Sequence, residues 1–310
     1  MADTQAVSKK PKKMRNINNV AYLMIAPFVI VFLVFNVYPV IRTLQFSFHH
    51  YKGYGDMIWA GFANYARVFQ DKYFWTALVN TLNIWVPNII LQLGLAFLLT
   101  IIFNDLKYRI KGLPFFRAVF YLPNIISATS IAFLFKTLLD WRFGTLNQVI
   151  AACGLRVGNP INWMGDPSIT PYVISVIAAW QWFGNSFIML MAGVQGINKD
   201  YFEAASIDGA DRWQQFFKIT MPLLKPIMLY VSITSFIGGL QMFDLPFLMC
   251  GGTAGAPYGS TQTMVMYMYK FGFDLRPKQV GFAGAIAYVL FILILIVSII
   301  QFKIMNKKED

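Results

Sequence analysis

The sequence predicts an all-α, polytopic membrane protein with six transmembrane helices and both termini on the cytoplasmic side. Three observations predict it. The 310 residues are 57% hydrophobic and only 13% charged, with a mean hydropathy of +0.53, whereas soluble domains are nearer a quarter charged. The apolar residues gather into six stretches, 20–41, 77–103, 115–139, 171–194, 223–249 and 281–302, each long enough for the roughly 20 helical residues that cross a bilayer of about 30 Å. The cations are unevenly shared between the connections. Strands of a membrane β-barrel would instead show weak alternation over short segments.

Taken in order, residues 1–19 form a basic tail with Lys9, Lys10, Lys12, Lys13 and Arg15. The stretch 20–41 is too long for a signal-peptide core and lacks a small-x-small cleavage site, so it reads as an uncleaved helix. Residues 42–76 are an outer connection whose aromatics suit the membrane interface. The only histidines, His49 and His50, have no cysteine or carboxylate cluster beside them, and no metal site is expected there. A short inner connection, 104–114, follows the second helix. The third, 115–139, carries Pro123, which frees a backbone carbonyl and favours a kink. Gly144, Gly154, Gly158, Pro160 and Pro167 mark turns in the outer connection 140–170. The segment 199–222 is a polar island before the fifth helix, and 250–280 is the third outer connection. A short tail, 305–310, closes the chain after a single membrane domain, 20–304.

The net charge of +12 does not point to nucleic acid. Lys107, Arg109, Lys111 and Arg117, then Lys199, Arg212, Lys218 and Lys225, then Lys303, Lys307 and Lys308 join the basic tail on one side. The other side has fewer cations on longer loops, as the positive-inside rule requires. Cys153 and Cys250 show no framework spacing and read as isolated thiols.

A polar solute crossing such a protein needs polar side chains at membrane depth, where they are costly and usually face a cavity or another helix. Asn124 and Ser127 follow Pro123 and are expected on one face of the third helix. Gln181 and Asn185 are four apart on the fourth, beside Trp182. Trp180 and Trp182 cannot share a face, so at most one lines a pathway. Ser235, Gly239, Gln241 and Asp244 belong to a small-residue, polar part of the fifth. Indole faces and amides suit a sugar ring. The competing reading is helix packing, which favours the same small and polar residues. No G-x-x-x-x-G-K-S/T, H-E-x-x-H or G-x-S-x-G is present, so no enzymatic or ATP-binding site is expected in this chain.

Within 199–222, Ala204 and Ala205 let a neighbouring surface approach closely, Gly209 permits a sharp turn between two short helices, Asp208 is expected to cap the second helix, and Pro222 closes the segment. Glu203-Ala204-Ala205, Asp208-Gly209-Ala210, Phe216, Ile219 and Pro222 at this spacing resemble the EAA motif of binding-protein-dependent ABC importer permeases. Asn64-Tyr65, Phe74-Trp75, Asn80-Thr81 and Arg117 to Pro123 resemble further signatures of the carbohydrate-uptake, maltose-type subfamily. Asp244 with Gly251-Gly252 does so too, except that the expected proline is displaced to Pro257. The resemblance implies the ABC importer permease fold in a bacterial cell membrane, with 199–222 coupling to the ATPase. It also implies a second homologous permease, two cytoplasmic ATPase subunits holding ATP and Mg, an extracytoplasmic solute-binding protein, and a carbohydrate, an oligosaccharide above all, as substrate. No cofactor is expected on this chain. The alternatives are a non-sugar solute (glycerol phosphate, polyamine, amino acid) and, further off, an ion-coupled secondary transporter. A phosphorylated solute calls for an Arg or Lys at the pathway, and none stands among these residues; the membrane-embedded charges, Lys136 and Asp244, lie near helix ends.

Overall fold

The computed structural model describes residues 17–103, 112–156 and 158–305. The basic positions expected at 9–15, 107–111 and 307–308 lie outside the described residues. The first span is one rod, α1 (Ile17–Phe32) and α2 (Tyr38–Ser47) joined by a π-helical turn, Leu33–Val37. It runs six residues beyond the expected end at 41. Nothing between Arg42 and Ser47 breaks a helix, and Thr43 Oγ1 bonds back to the Pro39 carbonyl at 2.8 Å. The rod is then closed from outside. Buried Asn64, on α3 (Ala63–Gln70), donates to the carbonyls of Ser47 and His49 at 2.9 and 3.0 Å. Between them lies a two-residue antiparallel hairpin, β1 (His49–His50) with β2 (Ile58–Trp59).

The 32-residue helix α4 (Lys72–Phe103) starts five residues before the expected 77. Asp71 sets the start, since its Oδ1 accepts the Tyr73 N–H at 2.9 Å, as an N-cap does. The third span corrects the sequence reading. Instead of one kinked helix, α5 (Leu113–Ile125) and α6 (Ala128–Leu138) meet at 90°. The break falls at Ile126–Ser127, three to four residues after Pro123. There Ser127 turns extended (ψ 143°) and its Oγ accepts the Ser130 N–H at 3.2 Å. A proline that removes one ladder bond and a serine that caps a fresh start together make two helices more favourable than one.

After α7 (Thr145–Ala152), α8 (Thr170–Gln195) is an unbroken 26-residue helix and the most enclosed of the long ones. It packs along α4 and against α5. Gly184 makes the second contact feasible, because a Cβ there would lie 1.9 Å from the Phe120 carbonyl oxygen. The chain then forms α9 (Lys199–Ile207), α10 (Arg212–Gln215), a π turn Phe216–Thr220 and α11 (Met221–Leu223). The fifth span is α12 (Lys225–Leu240) followed, after three non-helical residues, by α13 (Asp244–Met249). Short α14 (Met264–Tyr269), with a π turn Lys270–Asp274, precedes the last span, α15 (Val280–Met305).

Among the described residues, five helices are long and apolar enough to cross a membrane, six if the bent pair counts as one span, in line with the expected number. Three apolar clusters hold them together: around α4, α12, α14 and α15; around α4, α6, α8 and α13; and around α4, α5 and α8. The long connections meet at one end. Arg67 Nη1 donates to Gln279 Oε1 at 2.7 Å, and Asn80 Nδ2 to the Gly259 carbonyl at 2.7 Å. Trp163 and Met164 pack against the cluster that holds Leu245, Met249 and Cys250. Cys153 is exposed and Cys250 buried, both as free thiols; burial pushes the Cys250 thiol up in pKa. His49 Nδ1 lies 2.7 Å from the Gln45 carbonyl. The segment 199–222 occupies the opposite end.

Candidate functional site

At that opposite end, α9 begins at Asn198, whose side chain accepts the Asp200 N–H at 3.1 Å. It ends because Gly209 adopts φ +78°, which a residue with a Cβ takes only with strain. Asp208 does not cap the second helix. It is the C-cap of α9, one residue past Ile207, its N–H bonded to the Ala204 carbonyl. The cap is Asp211: its Oδ1 accepts the Gln214 N–H at 2.8 Å and Gln214 Oε1 accepts the Asp211 N–H at 3.0 Å. That reciprocal pair is a capping box with aspartate and glutamine in the two roles. A carboxylate at 208 sits one residue before the left-handed glycine, too early to reach the new helix. Gln215 ties the turn together, Nε2 donating to Ser206 Oγ at 2.9 Å and to the Ala210 carbonyl at 3.2 Å.

The two faces of this helical hairpin differ. Phe202 and Phe216 are buried against the body, and Ala205, Ala210 and Ile219 are half-buried. Glu203, Ala204, Asp208, Gly209 and Pro222 are exposed. So are large apolar side chains: Ile207 at 87%, with Tyr201, Trp213 and Phe217, the last two stacked at 6.2 Å. Water would not retain such a surface at no cost, and contiguous exposed apolar patches mark contact sites.

The second site is a cavity of about 330 Å³ between α4, α6, α8, α12 and α13. Gln181, Trp182 and Asn185 line it from α8, Ser235 and Gly239 from α12, and Gln241 from the break that follows. Of the two tryptophans, Trp182 reaches the cavity, while Trp180 packs edge-on against Phe135 at 5.5 Å. Gly239 also lets a neighbouring helix in, because Trp85 lies across it so closely that a Cβ would fall 1.6 Å from the indole Cδ1. Gln241, Met242 and Phe243 interrupt the helix where they face the cavity. Thr263 Oγ1 satisfies the Met242 carbonyl at 2.8 Å. Non-helical backbone at this depth is stable only where protein or an aqueous cavity meets its polar groups.

Asn124 and Ser127 do not share a helix face, because α5 ends between them. They stand at the right-angle break rather than on the cavity wall, where Ala128 takes the place. Asn124 Nδ2 is buried without a partner and Ser127 is occupied as a cap.

Two residues that sequence reasoning missed complete the wall. Gln92 on α4 is buried, and its Nε2 donates to Ser186 Oγ on α8 at 2.7 Å and to Ser235 Oγ on α12 at 3.2 Å, so one amide joins three helices. Asn88, one turn earlier, donates to the Ser175 carbonyl at 3.4 Å. Among the described residues, Asp244 is the one charged side chain on the wall. The cavity therefore offers amides, hydroxyls, an indole and one carboxylate, a set suited to hydrogen bonding a neutral, hydroxylated solute.

The chain is similar to known proteins along most of its length. Over 282 residues the chain is 35% identical to the lactose transport system permease protein LacF of Rhizobium radiobacter, covering 91% of this chain and 92% of that one. It is 33% identical over 285 residues to the arabinooligosaccharides transport system permease protein AraP of Bacillus subtilis (strain 168), covering 91% and 87%. Its fold matches a chain of the bacterial alginate ABC transporter crystallised in complex with an alginate pentasaccharide-bound periplasmic protein, with a TM-score of 0.79 at 24% identity over 96% and 98% of the two chains. The family model for the binding-protein-dependent transport system inner membrane component matches residues 86–308, and the chain belongs to that family.

Proposed function

We propose that the chain is the membrane subunit of an ATP-driven importer and forms half of the pathway for a sugar, with an oligosaccharide as the favoured substrate. The observation that carries this reading is the cavity: about 330 Å³ lined by Gln92, Gln181, Asn185, Gln241 and the Trp182 indole, with no cation among the described residues of its wall. An indole offers a face to the apolar side of a pyranose, and the amides match its hydroxyl rim. Relatives named for lactose and arabino-oligosaccharides support the same substrate class. A phosphorylated solute would meet a carboxylate, Asp244, where it needs a cation.

In this reading the hairpin of α9 and α10 docks into one of two cytoplasmic ATPase subunits. Ala204 and the exposed Ile207, Trp213 and Phe217 form the contact, and Gly209 fixes its angle. A second, homologous permease closes the other side of the cavity. A solute-binding protein delivers sugar at the end where the long connections gather, which places the termini in the cytoplasm of a bacterial cell and the chain in its plasma membrane. ATP and Mg belong to the ATPase subunits. The coupling works only if the hairpin contacts the ATPase differently in the inward- and outward-open states.

The test is uptake by the reconstituted complex of radiolabelled lactose, maltotriose and arabinotriose, with and without ATP. ATP-dependent uptake that needs the binding protein is the expected result. Uptake that ignores ATP and follows a proton or sodium gradient overturns it; ATP hydrolysis stimulated only by a non-sugar moves the substrate alone.

A further inference from the structure

Among the described residues, two non-glycine positions adopt a left-handed backbone, Arg156 (φ 49°) and Tyr258 (φ 50°). Both are exposed on the long connections. For a bulky side chain this conformation is an outlier, and it persists only where the surroundings over-determine it.

Around Tyr258 they do. The Ala256 N–H donates to the Cys250 carbonyl at 3.0 Å, Thr261 Oγ1 to the Ala256 carbonyl at 2.9 Å, and the Thr261 N–H to the Gly255 carbonyl at 3.3 Å. Gly255 sits so close to the returning strand of the loop that a Cβ there would lie 2.3 Å from the Gln262 nitrogen. From α4, Asn80 clamps the Gly259 carbonyl at 2.7 Å. Every one of these contacts holds backbone beside Tyr258. The ring itself is 94% exposed. The fold therefore spends its order on presenting an aromatic side chain that the chain itself leaves uncovered.

We propose that Tyr258 is an anchor by which the extracytoplasmic solute-binding protein docks on this permease; the proposal rests on the import reading above. A tyrosine has two side-chain torsions, and this one stands on a backbone already fixed, so little freedom remains to be lost when a partner covers it. Tyrosines of this kind dominate interface energetics when a partner's surface closes over them. The partner follows from position. The loop continues from α13, whose Asp244 and Leu245 line the cavity together with the preceding Phe243, and lies at the end away from the α9–α10 hairpin. A protein seated on Tyr258 stands over the cavity's outer end. A family whose transport depends on a binding protein requires such a partner.

The experiment measures ATP hydrolysis by the assembled complex in lipid nanodiscs as its sugar-loaded binding protein is titrated in. Tyr258→Gly is the informative variant, because glycine accepts this backbone without strain and leaves the loop intact. Tyr258→Phe keeps the ring. Tyr258→Gly is expected to raise the half-maximal binding-protein concentration about tenfold, with basal and maximal rates within about twofold of wild type. Tyr258→Phe is expected to stay near wild type. An unchanged half-maximal concentration in Tyr258→Gly overturns the docking role. A lowered maximal rate at an unchanged half-maximal concentration does so as well, by placing the ring in a later step. A wild-type complex that its binding protein fails to stimulate overturns the import reading itself.

Discussion

The 199–222 hairpin and the cavity both gather polar residues in an apolar protein, yet they are held in opposite ways. The hairpin depends on its own sequence: a left-handed glycine, a capping box between residues three apart, and a glutamine reaching back across the turn. The cavity depends on agreement between distant segments. Gln92 bonds to residues 94 and 143 positions away, and Gly184 and Gly239 let Phe120 and Trp85 approach. A local device tolerates change in the rest of the protein and fails when its own backbone is altered; an assembled one fails wherever two helices are pushed apart.

Substitutions should separate the two. The largest effect is expected from Gly184→Val. Its side chain would collide with a backbone carbonyl that cannot rotate away, so α5 and α8 must part, at a cost of about 3 kcal/mol. Thermal unfolding of the purified chain should show a clear fall in Tm, and an unchanged Tm would refute the backbone contact. Gly209→Val meets no atom within 4 Å, so it carries only the backbone cost of about 1–2 kcal/mol for a left-handed residue. Membrane insertion and Tm should survive while ATP-driven uptake is lost. Normal uptake by a well-expressed Gly209→Val chain would show that the turn is not needed for coupling. Gln92→Leu leaves the Ser186 and Ser235 hydroxyls without their donor, at about 1–3 kcal/mol. We expect a fall in Tm smaller than for Gly184→Val together with a raised KM for sugar; a stability loss with KM untouched would make Gln92 a brace only. The smallest contrast is within the hairpin. Asp211→Ala should cost about 1 kcal/mol of local helix stability and Asp208→Ala under about 0.5, read as hydrogen-exchange protection of α10. The reverse order would return the cap to Asp208.

These differences explain what could be read in advance. The hairpin and Gly209 were legible because their rules are local. The cap was misplaced by three residues, although Asp211-Arg-Trp-Gln214 is itself a capping-box pattern. Gln181, Trp182 and Asn185 announced themselves by clustering. Asn88 and Gln92 did not, since each is a lone amide inside the long apolar run of α4; their signal is that Trp85, Asn88 and Gln92 fall on one helix face. Pro123 marked the third span as irregular, but only Ser127 as a cap decides that it becomes two helices, and that decision depends on where α8 and α13 leave room.

The right-angle break between α5 and α6 has a further consequence for the membrane as an insulator. With 13 residues, α5 rises about 20 Å along its axis, against about 30 Å of hydrocarbon in a typical bilayer. Past Ile125 the chain turns through 90°, so α6 adds no length along the α5 axis. Taken alone, α5 is thus about two-thirds as long as the hydrocarbon is thick, and the barrier to ions beside it has to come from α8, which packs against it.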